Sequence, residues 1–222
     1  NGGQITAHGA IHSQGVADIA NVSFENVAIT SDAGLDFTGD SAAELEAKFN
    51  SGSENVICAI PTSATLSGDL TGCTVLTADR TWELDGLVVV TPGAELRIQE
   101  GTTVAGLPGT GDSTSYMIVD KGAKIYALGT ETNPITFTSQ DTSAQEVGLW
   151  GGLTIIGHAG NAQVNPYEVN TLYAADATDL TDSSGILRNV QILNSGITMA
   201  QDKEINGLSF IGVGSGTVVE DI

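Results

Sequence analysis

No stretch of this chain holds one hydrophobic period for long. Apolar runs of mostly three to six residues are cut short by glycine, asparagine or aspartate, and the pattern returns along most of the chain. Within the runs apolar and polar residues alternate, which is the period of a strand with one buried face. The segment around 95–99 shows this: Leu96 and Ile98 share one face, while Glu95, Arg97 and Gln99 share the other. Further runs fall at 84–90, 116–119, 124–126, 135–137, 153–156, 187–192, 208–210 and 218–222. Such short strands suit a stack in which each pairs with its equivalent one turn away.

Internal similarity supports the stack. Val90-Thr-Pro-Gly93-Ala94-Glu-Leu96 aligns with Val119-Asp-Lys-Gly122-Ala123-Lys-Ile125 at an offset of 29 residues, each a strand, a glycine-centred turn and a second strand. A second unit is an apolar residue, any residue, Asn or Asp, then another apolar residue. It occurs around Asn21, Asn26, Asn189 and Asp221. Asn tolerates turn conformations and stacks from rung to rung while its apolar neighbours point inward. The reading is an all-β, right-handed parallel β-helix, a solenoid. Composition agrees, since rungs bury small and branched aliphatics: aromatics are 5% of residues and glycines number 28. A β-sandwich is the competing fold, because Asp85-Gly86 and Asn206-Gly207 are hairpin signals. One helix is expected at about 41–50, with Ser41 as N-cap, Glu44 in the capping-box position and Gly52 after the end.

The run 76–90, then Pro92-Gly93-Ala94, Ile98-Gln-Glu100-Gly101-Thr102, Gly122-Ala-Lys-Ile125, Asn133-Pro134-Ile135 and Gly148-Leu-Trp150-Gly151-Gly152, follow one another in a specific order. Glu204-Ile-Asn206-Gly207-Leu208 and Gly212-Val-Gly214-Ser-Gly216-Thr217 complete it. This order closely resembles a family of secreted bacterial right-handed parallel β-helix proteins, usually described as hypothetical, as lipoproteins or as multidrug transporters. The resemblance covers about residues 66–222. It implies the fold and a secreted, extracellular location at the bacterial cell surface, and it carries over no catalytic residue. The transporter description conflicts with the sequence, where no apolar run approaches the roughly 18 residues of a membrane span. Residues 1–65 are expected to form a separate N-terminal segment, a cap or assembly element, and 66–222 the β-helix. The family usually has further rungs after the Gly-Val-Gly-Ser-Gly-Thr stretch, so the expectation is a longer parent or a covering partner beyond 222. Asn1 and the lack of a basic, then apolar leader read as a mature, processed or trimmed chain.

Charge narrows the partners. With 27 acidic side chains against 7 basic ones the formal charge is −20, which excludes a general binder of nucleic acid and disfavours anionic membrane surfaces. Cys58 and Cys73, the two cysteines, either form a disulfide closing a small loop or stay as buried thiols. The acidic, lysine-poor composition favours the disulfide and an oxidising setting. Asp176, Asp179 and Asp182 fall at a spacing of three with Glu168 nearby, the candidate calcium ligands. Calcium takes six to eight oxygens from carboxylates and loop carbonyls, and an acidic solvated loop is the alternative. Gly157-His158-Ala159-Gly160 is similar to the Gly-His-Gly of β-helical galacturonidases. That group's paired Asp-Asp and its Arg-x-Lys are missing, so His158 is read as a turn residue. Arg97, Lys121 and Lys124 are read as solvated ion-pair partners on one face.

The function expected is therefore non-enzymatic: a secreted structural module of a surface fibre, adhesin or matrix. It would self-associate head-to-tail through exposed β-helix ends, using strand-like material in 4–30. The alternative is a carbohydrate-binding or polysaccharide-degrading β-helix with surface glycans as partners, either hydrolase or lyase.

Overall fold

Alternating side chains give each short segment one aliphatic face to bury and two backbone edges to pair, and a coil of parallel strands meets both demands. A computed structural model describes residues 6–13, 23–31, 58–141, 146–160, 170, 172–176, 178–201 and 203–222. β1 (Thr6–Ser13) and β2 (Ser23–Ser31) pair in parallel as a sheet of their own. The helix expected at 41–50 and the Asn21 unit lie outside the described residues.

The coil starts with β3 (Thr65–Leu70) and β4 (Cys73–Leu76), then β5 (Thr81–Val90) and β6 (Glu95–Ile98). The third turn is β7 (Thr103–Gly106), β8 (Tyr116–Val119) and β9 (Lys124–Leu128); the fourth is β10 (Ile135–Ser139), β11 (Leu153–Ile156) and β12 (Gly185–Arg188). The fifth holds β13 (Val190–Ile192), β16 (Leu208–Ile211) and β17 (Val218–Glu220), with β14 (Ile197–Ala200) and β15 (Lys203–Ile205) as an antiparallel excursion between them. Every ladder of the coil itself is parallel. This is a parallel β-helix with three faces. The first runs β5–β7–β10–β13 and the second β5–β8–β11–β16, because β5 pairs β7 through Thr81–Leu84 and β8 through Leu87–Val90. The third runs β4–β6–β9–β12–β17.

The bend inside β5 falls at Gly86, whose φ of 70° suits a residue without Cβ. Asp85-Gly86 therefore marks a corner of the coil and no hairpin. Asn206-Gly207 joins β15 to β16, which do not pair. The 29-residue repeat is the register itself: Val90 lies opposite Val119, and Leu96 opposite Ile125. The Asn/Asp units at Asn189 and Asp221 are corners too, with φ of 48° and 54°. Asn189 Nδ2 donates to the Gly129 carbonyl of the preceding turn at 3.2 Å. The unit at Asn26 lies within β2, where the register slips.

Inward residues form one continuous core, including Leu84, Leu96, Val104, Ile125, Ile135, Phe137, Leu153, Ile155 and Leu187. Each fully buried aliphatic or phenyl side chain is worth about 1.5–3 kcal/mol over exposure. Trp82 and Trp150 are buried too, and each indole donates its N–H to a carbonyl: Thr77 at 2.8 Å and Leu193 at 2.7 Å. The second face is also covered on its outside. There Tyr116, Ile118 and Ile156 are buried with Ala175 and Ile205, against Tyr173, Ile197 and Met199. The long connection from β11 to β12 and the β14–β15 excursion supply those covering residues.

Candidate functional site

Two adjoining regions carry polar chemistry. One is the outward side of the third face. Register puts Glu95 beside Lys124 and Arg97 beside Tyr126 on neighbouring turns, and Arg188 beside Glu220 further along. Arg97 Nη2 meets Glu95 Oε2 at 2.7 Å, and its guanidinium lies over the Tyr126 ring, 5.7 Å from the centroid. Arg188 Nε donates to Glu220 Oε2 at 2.7 Å. Burial pushes the Tyr126 phenol up, with repulsion from Glu95 adding to it and Arg97 opposing it. Arg97 and Lys124 thus share a face as the sequence suggests, and Lys121 stands at the turn leading into it.

The other region is that turn, the corner between the second and third faces. Asp120, Lys121 and Gly122 follow β8; His158 follows β11; Asp176 and Thr178 return on the long connection. His158 Nδ1 lies 2.9 Å from Asp176 Oδ1, and Lys121 Nζ lies 3.4 Å from Asp176 Oδ2. Thr178 Oγ1 donates to Asp176 Oδ1 at 2.6 Å. Hydrogen bonds from Thr178 and His158, reinforced by the Lys121 charge, hold the Asp176 carboxyl far below the usual carboxylate range. Asp120 goes the other way, raised by burial against weaker opposing contributions from the Lys121 N–H and the charges of Lys121 and His158. The His158 backbone N–H reaches Asp182 Oδ2 at 3.3 Å, which fixes the residue at the corner. Nε2 points toward Gly122, where an added Cβ would lie 3.4 Å from it.

Asp176, Asp179 and Asp182 do not turn toward one point. Asp176 serves His158, Lys121 and Thr178; Asp179 accepts from Thr181 N–H and Oγ1 at 2.8 and 2.7 Å; Asp182 accepts from His158 N–H and Ser184 Oγ. Among the described residues no three His, Cys, Asp or Glu side chains converge as metal ligands do. Glu168, the fourth residue of the calcium expectation, lies outside the described residues. Cys58 and Cys73 are joined in a disulfide. Ala59 pairs with the outer edge of β4 through hydrogen bonds with Cys73 and Val75.

The parallel three-faced coil and its register correspond to what comparison with known proteins finds. The model of the pectate-lyase-like β-helix domain matches residues 68–222. The chain belongs to that family. No curated protein and no solved structure matches it. No helix among the described residues of this β-helix protein is long and apolar enough to cross a membrane.

Sequence reasoning left His158 as a turn residue and gave Tyr126 no role. The signal for His158 was the length of chain between strand runs ending at 156 and resuming near 187, an insertion at one corner of a solenoid. Such insertions gather on one face and are often where ligands bind.

Proposed function

We propose that this β-helix is an extracellular glycan-binding module whose ligand lies along the third face and its entry corner. The observation that carries the reading is the placement of cations. Of 7 lysines and arginines in a chain of charge −20, Arg97, Lys124 and Arg188 line one flat face, and Lys121 stands at its edge. An aromatic ring, Tyr126, lies among them. Extended sugar chains are bound by such combinations, with ring faces against aromatics and hydroxyl or carboxyl groups against bidentate side chains. Membership of a pectate-lyase-like family agrees with a polysaccharide ligand, and the chain is read as binding without cleaving the glycosidic bond.

Native gel electrophoresis through soluble neutral and acidic polysaccharides tests it. At least one acidic glycan should retard the folded chain, and R97A/K124A should weaken retention about tenfold or more, whereas R80A, outside this face, should not. Equal mobility of wild type and R97A/K124A in every glycan tested would end the reading.

The second reading, a self-associating structural module, has its own observation. β13, β16 and β17 each pair along one edge within the described residues, and Phe210 and Val219 of these strands are exposed. Electron micrographs of concentrated protein showing single particles without filaments would count against it.

A further inference from the structure

We propose that the His158 corner is a general-base site that hydrolyses acyl esters carried by the bound glycan, an inference that rests on the glycan reading above. A histidine becomes a base of fixed direction when one ring nitrogen is held and the other is free. Here Asp176 holds Nδ1 at 2.9 Å, and Thr178 Oγ1 lies 3.3 Å from the same nitrogen. Nε2 is left facing Gly122, where an added Cβ would stand 3.4 Å from it. Asp176 is therefore a positioning residue and His158 the base. His158 and Asp176 are about one-third exposed, at 30% and 34%, so water and a surface-bound substrate reach them.

The neighbouring cation selects the chemistry. Lys121 Nζ is 3.4 Å from the other oxygen of the same carboxylate and adjoins Gly122 in the chain. A positive charge beside the base opposes the oxocarbenium-like transition state of glycoside hydrolysis. It favours an oxyanion, the intermediate of acyl transfer. In the step proposed, Nε2 takes a proton from water as its oxygen bonds to the ester carbonyl carbon, and Lys121 stabilises the resulting oxyanion. The intermediate collapses with cleavage of the carbon–alkoxy bond, and the proton on Nε2 passes to the departing sugar oxygen. A carboxylic acid and a free hydroxyl result, with no oxidant or reductant consumed.

The test measures acetate release from O-acetylated xylan and hydrolysis of p-nitrophenyl acetate by the folded full chain. Wild type should hydrolyse both. H158A should lose about 10²–10⁴-fold in kcat/KM, the usual contribution of a positioned base. D176N should lower kcat with KM retained, and should shift the His158 imidazole signals in nitrogen-15 NMR, which a purely structural role would not do. H8A/H12A, which removes the other two histidines, should match wild type. Equal rates for H158A and wild type would overturn the proposal, as would no hydrolysis of either ester by folded wild type. An unsaturated sugar product in place of acetate would overturn it too. His158-dependent cleavage of the small ester without glycan retention supports the base and removes the glycan reading alone. Glycan retention without ester cleavage removes this inference alone.

Discussion

Opening the Cys58–Cys73 disulfide should destabilise the entry to the coil by a calculable amount. The two cysteines are 15 residues apart, and for a closed loop of that size the chain-entropy account gives about 3 kcal/mol. Cys58 and Cys73 are 3% and 6% exposed and pack with Val75. Replacing both with alanine therefore leaves apolar groups in an apolar cluster, and the loss of the cross-link dominates. What it holds is specific: Ala59 donates its N–H to the Cys73 carbonyl at 2.8 Å and accepts from Val75 N–H at 2.9 Å, covering the β4 edge. In a domain of this size 1 kcal/mol corresponds to roughly 2–4 °C in melting temperature. Differential scanning calorimetry of C58A/C73A should thus show a fall of about 6–12 °C if the coil melts as one unit. If the first turn opens by itself, as solenoids permit, the same energy appears as a separate early transition and as faster proteolysis near residues 58–76. A double variant with a single transition within about 1 °C of wild type and unchanged proteolysis would refute the account.

Two left-handed glycines, Gly185 at φ of 116° and Gly93 at 81°, differ in whether a side chain would also clash. At Gly185 a Cβ would stand 1.9 Å from the Ile125 carbonyl oxygen, so G185A should cost at least about 3 kcal/mol and shift chemical denaturation strongly. At Gly93, with φ of 81° and nothing within 4 Å, G93A should cost only the left-handed penalty of about 1–2 kcal/mol by the same measurement. Asp120 gives a pH prediction. Burial raises its folded-state pKa above the unfolded value, so its contribution is fully present below the unfolded pKa and is lost as pH rises through the folded one. D120N, which keeps an oxygen to accept the Lys121 N–H, should therefore raise the melting temperature at pH 7, with the gain fading as pH falls through the raised folded pKa and gone below about 4. A gain that grows on acidification would contradict this. N189A should cost about 1 kcal/mol by urea denaturation, since alanine is strained at φ of 48° and drops the bond to Gly129, whereas N189G should cost less.

The fold was legible because a solenoid repeats its physics. The alignment of Val90 with Val119 and Leu96 with Ile125 is visible in one dimension because that step is 29 residues on both the second and the third face, and the structure turns the offset into hydrogen-bonded register. Asn189 and Asp221 were legible for a related reason, as left-handed corners accept few residue types. The corner site was hidden by the same logic reversed. His158, Asp176 and Lys121 meet although 18 residues separate His158 from Asp176 and 55 separate Lys121 from Asp176, and no fixed spacing records where a loop comes back. Calcium was read from the spacing of Asp176, Asp179 and Asp182 with Glu168 nearby; in the structure each of the three aspartates turns to a different partner. The corner chemistry in this molecule therefore belongs where the repeat fails. The one step of 29 residues, from β5–β6 to β8–β9, carries core and ladder inward and the Arg97, Lys124 and Tyr126 row outward. The lengthened turn is where the chain brings a base, a cation and a half-buried acid to one edge of the face that carries the Arg97–Glu95 and Arg188–Glu220 pairs. Shortening that connection would restore a regular coil and remove the corner together, which is the sense in which the site and the irregularity are one feature.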